Sequence, residues 1–309
     1  MLSQWRLGFL LIISFLTSAA AANLVVQVGQ TNYKDPRGPI TAMGPTIGMS
    51  PAEILQARKT TGYVVCTGAT NKNPATGSAV LVGRGGQLVT NVHAFIDEKT
   101  GLRREPLAQC FFQNQMSPPE IAFLDFADKS YKFFTESPVN EFYKDVAVVR
   151  LATKIPGVHP FASDFSGPPI SQGQALIMVS SDQDLLTRPP KTAKQNIVIA
   201  GKSYSFDYNV EPIVQKCTAV TVRPADGKYT TAIYSDCSGT DGASGSAVLV
   251  RINGQLVLKG VHKGGGLPSA NYRPFLNAPG TDPKDKSYSY AIGLDSNIGS
   301  ELAAFVRGN

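Results

Sequence analysis

GSAVLVGRGGQLVTNVHAF, residues 77–95, sets two short apolar runs on either side of Arg84-Gly85-Gly86. Glycines between runs of this length give strand, turn and strand. The second strand closes on Thr90-Asn91-Val92-His93-Ala94, which delivers a histidine at its end. The same texture recurs along the chain in YVVC (63–66), DVAVVRL (145–151), ALIMVS (175–180), NIVIAG (196–201), SAVLVR (246–251) and QLVLKGV (255–261), each bounded by Gly, Pro or Asn. Many short strands and few helical stretches predict an all-β sandwich or barrel. Two helical patterns stand apart. Ser50-Pro51-Ala52-Glu53 is a capping box with proline at the first helical position, predicting a helix from Pro51 to about Lys59. The second, IGSELAAFV (298–306), closes the chain.

The amino terminus has a different character. Arg6 precedes an apolar run from Leu7 to Leu16, and small residues follow to Ala22. A basic start, a short apolar core and an Ala-x-Ala exit predict a signal peptide over residues 1–22, with cleavage after Ala22. The apolar run falls short of the roughly 20 residues a membrane span needs. The expected mature protein is secreted or periplasmic, with no membrane association after cleavage. Residues 23–59 read as an N-terminal extension or pro-segment that carries the short helix. A formal charge of +6 is spread along the chain without a run of lysines or arginines, which argues against nucleic acid as a partner.

Export places the four cysteines, Cys66, Cys110, Cys217 and Cys237, in an oxidising compartment where an even count favours disulfides. No C-x-x-C occurs and no histidine neighbours a cysteine, so no metal site is expected. Of the three connectivities, Cys66–Cys110 with Cys217–Cys237 is the expected one. The second pair flanks a hairpin pattern, CTAVTVRPADGKYTTAIYSDC, whose turn signal Asp226-Gly227 lies at its midpoint.

TDGASGSAV (240–248) sets Ser244 among glycines and other small residues. A serine hydroxyl is a weak nucleophile unless a base takes its proton and an acid orients that base. Of the three histidines, His159 sits beside Pro160 in a loop, and no acid lies between Ser244 and His262. His93 ends a strand, and Asp145 opens the alternating run DVAVVRL. The order His93, Asp145, Ser244 is that of one known serine-protease architecture.

On these three blocks the chain resembles the chymotrypsin/trypsin-like serine proteases, above all their secreted bacterial branch. LVTNVHAF stands where that family has T-A-A-H, and DVAVVRL where it has D-I-A-L-L. GASGSAV stands where it has G-D-S-G-G-P, which bacterial members write G-x-S-G-S. The match runs from about Thr61 to the C-terminal helix. It implies two packed antiparallel β-barrels, over 60–155 and 156–309, with the active site between them. His93 would be general base and acid, Asp145 its orienter, Ser244 the nucleophile, and the amides of Gly242 and Ser244 the oxyanion hole. A protein or peptide substrate, a monomeric state and no cofactor follow from the same resemblance. Three departures stand out: Asn91 replaces an alanine before the histidine, Ala243 replaces the aspartate of the animal zymogen switch, and Lys263 replaces a serine that supports the triad.

LVLKGVHKGGG (256–266) is expected to wall the primary pocket. His262 stands where glutamyl endopeptidases of this fold carry a carboxylate-binding histidine, and Lys263 beside it would add positive potential. Gly264 continues the wall. Gly239 stands where those enzymes have Ser or Thr, with Thr240 adjacent, and Ser238 holds the pocket floor with Asp241 at the rim. No acid therefore matches a trypsin-like floor. A plain inward strand residue is the competing reading of His262. Two other functions use the same residues: a non-catalytic peptide-binding protein and an esterase.

Overall fold

The computed structural model describes residues 37–66, 75–98, 100–104, 107–138, 140–181, 192–199, 201–225, 230–239, 242–264 and 289–308. The signal-peptide reading, the Asp226-Gly227 turn, Thr240 and Asp241 lie outside these residues.

The described chain starts with β1 (Gly38–Pro39), α1 (Ile40–Met43) and α2 (Pro51–Thr60). It then enters β2 (Thr61–Cys66), β3 (Ala75–Val82), β4 (Gln87–Thr90), β5 (Cys110–Asn114), β6 (Ile121–Asp125), β7 (Tyr131–Phe133) and β8 (Ala147–Leu151). Six of these form a closed antiparallel barrel in the order β4-β3-β2-β5-β6-β8, with β4 returning to β8 and β7 added on β8. The remaining elements are β9 (Ala162–Ser163), β10 (Ala175–Ser180), β11 (Thr192–Ile199), β12 (Lys202–Asn209), β13 (Ile213–Arg223), β14 (Ala232–Ser235), β15 (Ala247–Ile252), β16 (Gln255–Gly264), β17 (Ser289–Gly293) and α3 (Ser296–Arg307). A second six-strand barrel closes in the order β13-β10-β15-β16-β17-β14, with β14 returning to β13. The all-β, two-barrel expectation is the architecture observed. Among the described residues no helix is long and apolar enough to cross a membrane.

The apolar runs are nearly continuous because these strands are buried on both faces. Leu81, Leu88 and Val149 fill the first barrel, while Val80, Val82, Val89 and Val148 point the other way and join Val179, Leu249, Leu258, Val261 and Ile292 of the second. Leu176, Met178, Ile233, Val248 and Val250 fill the second barrel. Strand alternation thus sends successive residues into two cores, and no polar face is left to mark the period.

Both disulfides join the expected partners. Cys66 and Cys110 face each other as cross-strand neighbours on β2 and β5. Cys217 on β13 bonds Cys237 just beyond β14, and those two strands pair antiparallel. The capping box forms around Ser50 and Glu53, and α2 ends one residue beyond the expected boundary. The described part of the N-terminal extension is folded onto the second barrel. β1 pairs with β13, the Ile40 amide donates to the Pro212 carbonyl at 2.8 Å, and the Ile40 and Met49 side chains enter the shared core. NIVIAG, read as one strand, breaks at its end: Gly201 has φ +77°, and β11 and β12 make a hairpin separate from both barrels. That hairpin packs Tyr204 and Phe206 against a cluster containing Tyr63 and Phe111.

Candidate active site

The first barrel supplies two side chains. After β4 the chain makes a short 3₁₀ turn, Val92–Ala94, which carries His93. Asp145 precedes β8 and is fully buried. Antiparallel pairing of β4 with β8, Thr90 opposite Ala147, brings the two loops together. His93 Nδ1 lies 2.6 Å from Asp145 Oδ2, and the His93 backbone N–H donates to Oδ1 at 3.0 Å. Asn91, also buried, donates from Nδ2 to the Asp145 carbonyl at 2.6 Å, pinning the backbone that carries the carboxylate. Burial alone would raise the Asp145 carboxyl, but hydrogen bonds and positive charge from His93 and Lys263 hold it below the usual carboxylate value.

The second barrel supplies a backbone. Gly242 and Gly245 both lie in the left-handed region, at φ +94° and +88°, on either side of Ser244. The loop is bonded on both flanks. Gly245 N–H donates to the His262 carbonyl at 2.7 Å, and His262 N–H to the Ser246 carbonyl at 2.9 Å. From the first barrel, Ser78 N–H donates to the Ser244 carbonyl at 2.7 Å and Ser78 Oγ to the Gly242 carbonyl at 2.7 Å. A Cβ on Gly245 would stand 1.9 Å from the Ser78 carbonyl oxygen and 2.5 Å from Thr90 Oγ1, so only glycine fits. Ser244 Oγ donates to the Lys263 carbonyl at 2.9 Å.

Lys263 joins the two halves. Its ammonium lies 2.8 Å from Asp145 Oδ2, 2.6 Å from Glu98 Oε1 and 3.3 Å from His93 Nδ1. Burial would lower this amine, yet Asp145 and Glu98 raise it above its ordinary value. His93, Glu98 and Asp145 offer donor atoms within 4.8 Å of one another, but the ammonium stands among them, making the cluster an ion-pair network instead of a cation site.

No protein-family model matches the chain, and no curated protein matches it in sequence. Solved structures do. A Glu endopeptidase complexed with MPD superposes with a TM-score of 0.54 at 13% identity, covering 89% of this chain and 98% of its own. The chain has the chymotrypsin-like serine protease fold. Also similar are the protease Anisep from Arthrobacter nicotinovorans (TM-score 0.48, 14% identity, 81% of this chain and 96% of that one) and an HtrA-type protease with a tripeptide (0.47, 14%, 82% and 62%).

The residues expected to wall a primary pocket lie on or near β16, and they divide. His262 is buried, with Nδ1 3.2 Å from Ser289 Oγ. Burial first, then the charges of Lys263 and His93, lower its pKa to about 3, so the imidazole is neutral at ordinary pH. A Cβ on Gly239 would lie 2.8 Å from His262 Nε2, so the glycine is what lets the backbone pack this closely against that ring nitrogen. Among the described residues, nothing lies within 4 Å of where a Cβ on Gly264 would stand. Ser238 is buried, donating from its N–H to Gln215 Oε1 at 2.8 Å, and accepting from Gln215 Nε2 at its carbonyl. Lys263 departs from the wall: its ammonium is committed to Asp145 and Glu98, where sequence reasoning had it adding charge to the pocket. The cause is a β-bulge. His262 pairs with Ala291 and Gly264 with Tyr290, so Lys263 is an extra residue opposite a single step of β17.

Sequence reasoning missed Glu98, Ser78, Asn91 as a brace and Gln215. Ser78 and Asn91 carried one faint signal, a polar residue inside an apolar run.

Proposed function

We propose that this protein is an exported serine endopeptidase with His93, Asp145 and Ser244 as its catalytic set. The observation that carries the reading is the contact between His93 Nδ1 and Asp145 Oδ2, with Ser244 Oγ bonded to Lys263, the residue whose ammonium sits on that pair. Asp145 fixes the tautomer with the proton on Nδ1, leaving Nε2 of His93 to take the Ser244 proton as the hydroxyl attacks a peptide carbonyl. The amides of Gly242 and Ser244 receive the oxyanion, and His93 returns the proton to the leaving amine. Water then repeats the sequence to release the acyl group. Two disulfides support an oxidising compartment.

The substrate preference we propose is for Glu at the residue whose carbonyl is attacked. In this reading the neutral His262 accepts from Ser289 Oγ at Nδ1 and carries its proton on Nε2, the nitrogen packed against Gly239, where a substrate carboxylate would take it. One hydrogen bond to a charged group contributes about 1.5–3 kcal/mol. Against the whole reading stands one observation: in this arrangement the Ser244 hydroxyl bonds a carbonyl and not His93, as a peptide-binding relative without catalysis would allow. The test is kcat/KM on matched Glu and Gln peptides for wild type, His262→Ala and Ser244→Ala. The expectation is a Glu preference that His262→Ala erases and no turnover in Ser244→Ala. Turnover surviving in Ser244→Ala would end the protease reading. A preference indifferent to His262 would end only the specificity.

A further inference from the structure

Resting on that reading, we infer that Lys263 and Glu98 form a charge-compensated pair that positions the acid–base couple and sets the pH at which it works. The geometry is specific. Asp145 Oδ2 accepts from two donors at once, His93 Nδ1 at 2.6 Å and Lys263 Nζ at 2.8 Å, while Oδ1 accepts from the His93 amide at 3.0 Å. The carboxylate therefore has a single orientation available to it. The lysine side chain is mostly buried, with 13% of its surface exposed, and the bulge on β16 is what turns it toward Asp145 while its carbonyl holds Ser244 Oγ.

An ammonium 3.3 Å from the general base opposes the imidazolium that forms on proton transfer. Glu98 answers that charge. Its carboxylate bonds the same ammonium at 2.6 Å and lies 4.0 Å from His93 Nδ1, so the cluster of Asp145, Glu98 and Lys263 keeps a net charge of −1 around the imidazole. Among the described residues, two further titratable groups near this cluster stay neutral across the working range. His262 on the same strand is held to about 3, and the Tyr290 phenol on β17 is raised by burial well above its ordinary value. Beyond Asp145 itself, removing Lys263 or Glu98 changes the field at His93, and the two change it in opposite directions. A serine at position 263 could hold Asp145 but could not shift the field; a lysine does both.

The test follows the rate of fluorophosphonate labelling at Ser244 against pH for wild type, Lys263→Met, Glu98→Gln and the double variant. Loss of the cation favours the protonated imidazole, so the acid limb of Lys263→Met moves up by about one pH unit. Loss of the anion does the reverse, and the limb of Glu98→Gln moves down by roughly half a unit. In the double variant the shifts largely cancel. Glu98 is half exposed, so its variant tests the idea even where Lys263→Met folds poorly. Limbs that coincide in wild type and Glu98→Gln, or that move the same way in both single variants, overturn the inference while leaving the protease reading intact. Absence of labelling in the wild type at every pH removes the protease reading, and the inference goes with it.

Discussion

The two halves of the site are made of different material. In the first barrel, His93, Asp145 and Asn91 meet through side-chain hydrogen bonds on loops of ordinary backbone. In the second, the chain around Ser244 runs through two left-handed glycines and is held by carbonyl and amide groups from both barrels. A side-chain network fails when one residue type is exchanged. A backbone cradle fails where an added atom meets a neighbour or forces the backbone out of its left-handed turn. The contrast is sharpest at Gly245, where Ala would combine φ +88° with a Cβ 1.9 Å from the Ser78 carbonyl. Gly245→Ala is expected to destabilise the fold by more than about 3 kcal/mol, the range of strained backbone plus overpacking, and to remove reactivity at Ser244. Urea midpoints together with fluorophosphonate labelling measure both. A stable, fully labelled variant would erase the distinction between the halves.

Ser78 is where the halves touch. Its hydroxyl donates to the Gly242 carbonyl at 2.7 Å and accepts from the Ser181 N–H at 3.0 Å, inside the protein. Ser78→Ala takes the partner from both groups without adding bulk, at an expected cost of about 1–3 kcal/mol for a buried polar group left unmade. Because the Gly242 peptide is released from one side, kcat should fall while KM changes little. An unchanged kcat in a destabilised variant would make Ser78 a brace of the fold alone.

The same contrast governs what was legible in the sequence. His93, Asp145 and Ser244 each sit at the end of an apolar run, where a strand pattern gives them an address, and those runs fall on β4, β8 and β15. β6, β7 and β17 were not read, being strands of three to five residues with little periodicity to register. β12, KSYSFDYN, did alternate, but it packs against the outside of the first barrel instead of lining a core. The direction of Lys263 could not be read at all. A regular strand and a bulged one have the same sequence pattern there, and only the pairing of Gly264 with Tyr290 decides between them. Glu98 meets that lysine across 165 positions, and no local signal marks so distant a partner.

Each half also holds a histidine, and their surroundings make opposite demands. His93 has a carboxylate at 2.6 Å and 19% of its side chain exposed. His262 has a hydroxyl as its side-chain partner, lies beside the Lys263 cation and is buried. Protonating His262 in the folded protein therefore has no compensation, which is why its pKa falls from 6.5 to about 3. In the unfolded chain it titrates near 6.5. Between those two values the unfolded state holds one more proton than the folded state, so stability is complete above pH 6.5 and declines as the pH falls toward 3. The slope for one full proton is about 1.4 kcal/mol per pH unit. Carboxylates such as Asp145 also lose stability in acid, but they do so in any variant that keeps them. The difference between wild type and His262→Gln isolates the histidine: the glutamine has nothing to titrate, so its stability should be flatter across that window. Urea unfolding from pH 7 down to pH 4 measures the gap. Parallel curves would mean that His262 accepts a proton in the folded state despite its burial.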